Sequence, residues 1–161
     1  MDYKDIEKKV NKLTNVYSEP PIPVCEIIRQ QGVKLYTADF KQFVDTFSGF
    51  CDFENDSIYL NQDDSRERKF VVAAHEFGHW FLHRAEFKKK PDAYAFLPRY
   101  REIADGSVDD IKEKQADYFA LNLIMPIRLV EEFNHLYSVS ELARLFNVPR
   151  SLMERRLKAI L

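Results

Sequence analysis

Cysteine is scarce. The 161-residue chain carries two, Cys25 and Cys51, with no C-x-x-C spacing. That speaks against a disulfide framework and a cysteine-built metal site, and suggests reduced thiols in a cytoplasmic protein. Long apolar runs are missing too. No run of 18 apolar residues is present to span a membrane, and Met1-Asp2-Tyr3-Lys4-Asp5-Ile6-Glu7-Lys8-Lys9 lacks the apolar stretch of a signal peptide. Neither charge sign is in excess. The net charge of −2 makes no general case for a nucleic-acid or membrane partner.

What is present fits a globular chain. Hydrophobic residues make up 45%, and a chain of this length can bury about 70% of its unfolded surface. One domain, or one domain with an appendage, is expected. Tyr3, Ile6, Val10, Leu13 and Tyr17 recur at helical spacing and predict a first helix, ended by Pro20, Pro21 and Pro23. Val24 to Gln31 reads as a second helix, with Gly32 as its C-terminal cap. Strands are expected at Val33 to Tyr36, Asp45 to Asp52 and Ser57 to Asn61, the last two as a hairpin joined by Glu54-Asn55-Asp56.

The most informative segment follows directly. Val71-Val72-Ala73-Ala74-His75-Glu76-Phe77-Gly78-His79-Trp80-Phe81-Leu82-His83 contains an H-E-x-x-H motif. On a helix, positions i and i+4 share a face, so His75 and His79 can reach one metal ion. Glu76 can then hold a water at that ion and take its proton. The bland alternative is a helix with unrelated polar residues. It would leave three polar groups in an almost wholly apolar stretch, where burial is costly. Asp64, with Glu67 three residues on, supplies a helix start signal. Gly78 is costly inside a helix, and suits close approach of a substrate or a neighbouring backbone.

A catalytic zinc usually has three protein ligands and one open position. His83 is eight residues beyond His75, a rise of about 12 Å. It is therefore expected to pack, to support a ligand or to wall the cleft. The third ligand should come from another helix, and Val108 to Ile124 is the candidate. Glu113, Ala116, Asp117, Ala120 and Ile124 fall on one of its faces. The alanines would let this helix lie close to His75 and His79. Glu113 could ligate, while Asp117 could accept a hydrogen bond from a ligating imidazole. On spacing alone Asp109, Asp110 and Asp117 remain rivals to Glu113, and both acids could simply form a solvated face.

These two blocks resemble the ImmA/IrrE family of bacterial and phage metallopeptidases. The matching residues are Phe70 to His79 with His83 after them, then Glu113-Lys114-Gln115-Ala116-Asp117-Tyr118-Phe119-Ala120-Leu121-Asn122-Leu123-Ile124-Met125-Pro126. The resemblance covers roughly residues 33 to 155. It implies that His75, His79 and Glu113 bind one Zn2+ per chain and that Glu76 is the general base. It also implies a gluzincin-like fold and a partner repressor of the helix-turn-helix (XRE) type, cleaved or inactivated so that silenced genes switch on.

The expected class is thus α+β: a mostly helical zincin-like domain with a small three-stranded sheet beside the H-E-x-x-H helix. Residues 1–135 would form that domain, and 136–161 a C-terminal helical hairpin packed on it. Ser138 with Glu141 reads as a capping box, and Asn147 to Pro149 as a tight turn between two helices. This hairpin holds five basic residues against two acids. Arg150, Arg155 and Arg156 could contact DNA, although packing or partner recognition is the better reading of a single hairpin. A non-catalytic regulatory protein, acting through that hairpin, is the competing function. Tyr94, Phe96, Tyr100 and Arg101 could line a cleft or pack under a loop.

Overall fold

A computed structural model of the chain describes residues 2–40, 48–89 and 108–160. Tyr94, Phe96, Tyr100 and Arg101 lie outside them, as do residues 45–47 of the second expected strand. The described elements run α1 (Tyr3–Thr14), α2 (Val24–Gln30), β1 (Lys34–Ala38), β2 (Gly49–Asp52), β3 (Ser57–Asn61), α3 (Arg66–Lys89), α4 (Val108–Ile124), α5 (Ile127–Asn134), α6 (Val139–Leu145) and α7 (Arg150–Ile160). The fold is α+β, with one small mixed sheet.

The sheet has the order β1-β3-β2. β3 pairs antiparallel with β2 through the short turn and parallel with β1. Its inner face offers Ile58, Leu60 and Cys51 to the core. Its outer face stacks Tyr36 on Tyr59 and Tyr59 on Phe50, with centroids 5.2 and 4.8 Å apart. β2 lies tight against α3: a Cβ on Gly49 would stand 2.7 Å from Val72 Cγ1. The hairpin turn is also tied to α3. Asp56, in the left-handed region at φ 49°, accepts from Trp80 Nε1 at 2.8 Å and from Arg84 Nε and Nη2, both at 2.7 Å. Arg84 in turn lies over the Trp80 ring, 4.9 Å from its centroid.

The start of α3 differs from expectation. Ser65, not Asp64, caps it, its Oγ accepting from the Arg68 amide at 3.2 Å. Asp64 belongs to the turn leaving β3, where its amide bonds the Asn61 carbonyl, and its carboxylate pairs with Arg68 at 3.2 Å. The serine stands one residue nearer the first turn and reaches the free amide first. The capping box at Ser138 and Glu141 is formed.

α4 packs along α3. A Cβ on Gly78 would lie 3.0 Å from the Ala116 carbonyl oxygen and 3.2 Å from Ala116 Cα. The expected close approach at Gly78 is therefore made by a neighbouring backbone. α1 lies on α4 as well, with Tyr3 and Tyr118 in edge contact at 4.8 Å.

The α6–α7 pair turns on Asn147, whose φ of 56° is the left-handed conformation that asparagine tolerates. Arg156 departs from the DNA-facing reading. It is buried, and it donates to the Met125 carbonyl through Nε at 3.1 Å and Nη2 at 2.8 Å, and to Asn122 Oδ1 at 2.8 Å. A guanidinium spent on the end of α4 is not available to phosphate. Arg150 pairs with Glu154 at 2.8 Å, and Arg155 is exposed. Arg156→Met should therefore cost roughly 1–3 kcal/mol, because it strands buried acceptors. Arg155→Ala should stay within about 0.5 kcal/mol. Urea unfolding of the two variants checks the contrast, and equal costs would contradict it.

Candidate metal centre

The H-E-x-x-H helix turns its histidines toward α4. His75 Nε2 and His79 Nε2 stand 3.0 Å apart. Glu113 closes the triangle, with Oε2 3.1 Å from His75 Nε2 and Oε1 2.9 Å from His79 Nε2. His75, His79 and Glu113 each offer one ligand atom, all within 4.8 Å of one another, so the group could hold a metal ion. Of the rivals to Glu113, Asp110 is paired with Lys114 at 2.7 Å and Asp117 is turned to the far side of His75. The side chain of Asp109 is outside the described part.

Hydrogen bonding fixes the tautomer of His75. Asp117 Oδ1 is 2.8 Å from His75 Nδ1. An ionised carboxylate only accepts, so Nδ1 carries the proton and a neutral His75 is left with a lone pair on Nε2. That lone pair faces a carboxylate oxygen and a second imidazole nitrogen. Without a metal, a ring proton on an Nε2 can be shared with Glu113; a cation in its place can be held by all three lone pairs. Ligand atoms around a tetrahedral ion with bonds of about 2.0–2.1 Å are separated by roughly 3.3 Å. The observed separations of 2.9–3.1 Å are those of a set drawn slightly inward, so the donors fit a small divalent ion.

The surroundings favour charge at this point. His75 is 1% exposed in its side chain while Asp117 is 55% exposed, so the supporting carboxylate keeps its hydration at the rim. Burial alone would raise the Glu113 carboxyl. Hydrogen bonds and charge from His75 and His79 outweigh it and hold the group well below the usual carboxylate range. Glu76, next to His75 on the same helix, is buried. Burial, with the Glu76 charge next, pushes the thiol of Cys51 on β2 well up. His83 is buried and stacks at a tilt on His79, with centroids 5.6 Å apart. Its pKa is lowered to about 4, by burial first and by the neighbouring His79 next.

Sequence reasoning missed the Asp56 clamp on Trp80 and Arg84. Trp80 and Arg84 do stand at i and i+4 on α3, a spacing that points both at one partner. Nothing in the sequence names Asp56 as that partner.

The chain matches the family model described as the IrrE N-terminal-like domain over residues 28–158. No curated protein matches it. Among solved structures it is similar to a Mycobacterium tuberculosis transcriptional regulator. Identity is 15%, the TM-score is 0.65, and the match covers 95% of this chain and 46% of that one. The chain spans less than half the length of that protein, and at this identity the likeness establishes the fold alone.

The His83 shift gives a pH dependence with a definite sign. Between its unfolded value of 6.5 and its folded value of about 4, the unfolded chain binds a proton that the folded chain refuses. Stability of the metal-free protein should fall as the pH drops through that window, by roughly 1–3 kcal/mol. His83→Gln has no such proton to refuse and should flatten the slope. Urea midpoints taken from pH 7 to pH 4 read both, and an unchanged slope in the variant would assign the dependence to other groups.

Proposed function

The chain belongs to the IrrE N-terminal-like family, and on that premise we propose that it is a zinc-dependent endopeptidase that cleaves or inactivates a helix-turn-helix repressor. The observation that carries this reading is the convergence of His75 Nε2, His79 Nε2 and one Glu113 carboxylate, with Glu76 buried alongside. A zinc ion held there supplies Lewis acidity to the scissile carbonyl and to the attacking water. His75, fixed in its tautomer by Asp117, and His79 present their lone pairs. Glu113 adds negative charge, which favours a divalent ion over a proton. Glu76 takes the proton of the attacking water and delivers it to the leaving amine.

The sheet gives the substrate a place to lie. Among the described residues, β1 and β2 are its edges, and β2 is the one that packs on the H-E-x-x-H helix, Gly49 against Val72. An extended peptide adding to β2 would pass the ligand triangle with its backbone already hydrogen-bonded. The choice of a repressor as that peptide's source is supported by the resemblance to ImmA/IrrE proteins. The burial of Arg156 counts against the competing view that the C-terminal hairpin acts directly on DNA.

Two measurements test the proposal. Protein purified without chelators should contain close to one zinc per chain by elemental mass spectrometry. Glu113→Ala should lose most of that metal, whereas Asp117→Ala should weaken binding by about 10–100-fold. Full zinc retention by the Glu113 variant would identify the wrong acid. Glu76→Gln should keep the metal and lose about 10²–10⁴-fold in cleavage rate. If Glu76→Gln relieves repression as well as the unaltered protein does, the chain is not acting as a peptidase.

A further inference from the structure

The two ligand histidines are not supported alike. His75 has both nitrogens engaged, Nε2 in the triangle and Nδ1 on Asp117. His79 also gives its Nε2 to the triangle, but its Nδ1 is buried and has no hydrogen-bond partner among the described residues. Once Nε2 presents a lone pair to a cation, the ring proton must sit on Nδ1. A buried N–H without an acceptor is rare in native proteins and calls for an explanation.

A matching vacancy of opposite sense lies one turn further along α3. His83 is 5% exposed, and its Nε2 is likewise buried without a hydrogen-bond partner among the described residues. The ring does make a bond to the backbone of Lys112 on α4. With Nε2 out of that bond, Nδ1–H is the donor and the Lys112 carbonyl accepts. A neutral imidazole has one N–H, so Nε2 of His83 is left as an acceptor. Side chains on a helix lean toward its N-terminus. That lean directs the His83 ring back toward the His79 ring, although His83 Nε2 and His79 Nδ1 are not hydrogen-bonded to one another without the metal. The ring centroids are 5.6 Å apart and the planes tilted by 50°. Two imidazoles joined by an in-line N–H···N bond of about 3 Å have centroids roughly 5 Å apart. The tilt is no obstacle, because twisting about the bond axis leaves donor and lone pair aligned.

We propose that His83 is the positioning residue for His79, its Nε2 accepting a hydrogen bond from His79 Nδ1–H when the metal is held. A relay then runs from His79 through His83 to the Lys112 carbonyl. Both ligand imidazoles are in this way oriented by α4: His75 by a carboxylate, His79 by a backbone carbonyl acting through a third histidine. The proposal rests on the metal-binding half of the preceding reading and not on peptide cleavage.

The test uses the full chain loaded with zinc. In protein labelled with ¹⁵N at histidine, His79 should be protonated at Nδ1 and should show a through-bond N–N coupling to Nε2 of His83. A His83 protonated at Nε2, with no such coupling, overturns the proposal. Competition against a chromogenic chelator provides the second readout. His83→Phe keeps a ring of similar size but offers no acceptor, and should weaken zinc binding about 10–100-fold. His83→Gln places a carboxamide oxygen near the lost nitrogen and should recover most of that affinity. Phe at wild-type affinity, or Gln as weak as Phe, reduces His83 to packing and overturns the proposal. If His83→Phe does not fold, the coupling in the unaltered protein decides. Wild-type protein that takes up no zinc overturns this proposal together with the metal site, whereas zinc uptake without peptidase activity overturns only the proposed function.

Discussion

How near α4 can come to α3 decides whether there is a site at all. The contact is between Gly78 and the backbone of Ala116, where an added Cβ would meet the carbonyl oxygen at 3.0 Å. Glu113 lies three residues before that contact and Asp117 one residue after it, so both acids are carried to the histidines by the same approach. Glu113 reaches His75 and His79 at about 3 Å with a short side chain. A Cβ at Gly78 would require the α4 backbone to give by a few tenths of an ångström, at the point that sets the reach of Glu113. A glycine that weakens α3 by about 1 kcal/mol thus stands where the two helix backbones come closest to a Cβ's space.

The second constraint is electrostatic. Folding brings two buried imidazoles against a carboxylate that is still 33% exposed, and each would be better solvated in the unfolded chain. Part of that cost is offset locally: Asp117 fixes His75 while staying largely in solvent, and the histidines draw the Glu113 carboxyl down. The remainder is offset by packing elsewhere. Phe77 and Phe119, both fully buried, meet edge to face at 5.6 Å on the seam between the same two helices. Apolar burial thus holds together what the polar groups alone would push apart.

The sequence made the site more legible than its supports. An H-E-x-x-H pattern on one helix, and two acids among alanines on another, constrain the chemistry because few other arrangements satisfy those side chains when buried. β3 and α4 were legible to the residue, since apolar periodicity was strong and their ends were marked by turn residues and by Met125-Pro126. The start of α3 was not. Asp64 and Ser65 are both good caps, and only the hydrogen bonding of the turn after β3 decides between them. Arg156 was misleading for a related reason. Charge density along a helix is visible in sequence, but which arginine faces inward depends on a carbonyl thirty-one residues away. The parallel pairing of β1 with β3 is equally non-local and left no pattern in either strand.

Those supports form two separate braces, one for each helix that contributes ligands. α3 is held to the sheet by Asp56, whose carboxylate takes Trp80 and Arg84 just beyond the histidines. α4 is held from the other side by both ends of the chain. α1 lies along it, Arg156 of α7 covers the carbonyl of Met125 at its end, and Arg128 of α5 donates to the carbonyls of Thr14 and Tyr17 where α1 finishes. The charged residues in this second brace bond mainly to backbone carbonyls beyond helix ends, where a cation meets the negative end of the helix dipole. That arrangement fixes α4 without placing a second charge beside Glu113. A brace built from carboxylates near the triangle would have competed for the same cation. Lys112 and Lys114, on either side of Glu113 in the chain, are engaged by Glu86 and Asp110, and the arginines of the brace by distant carbonyls, which leaves Glu113 to His75 and His79.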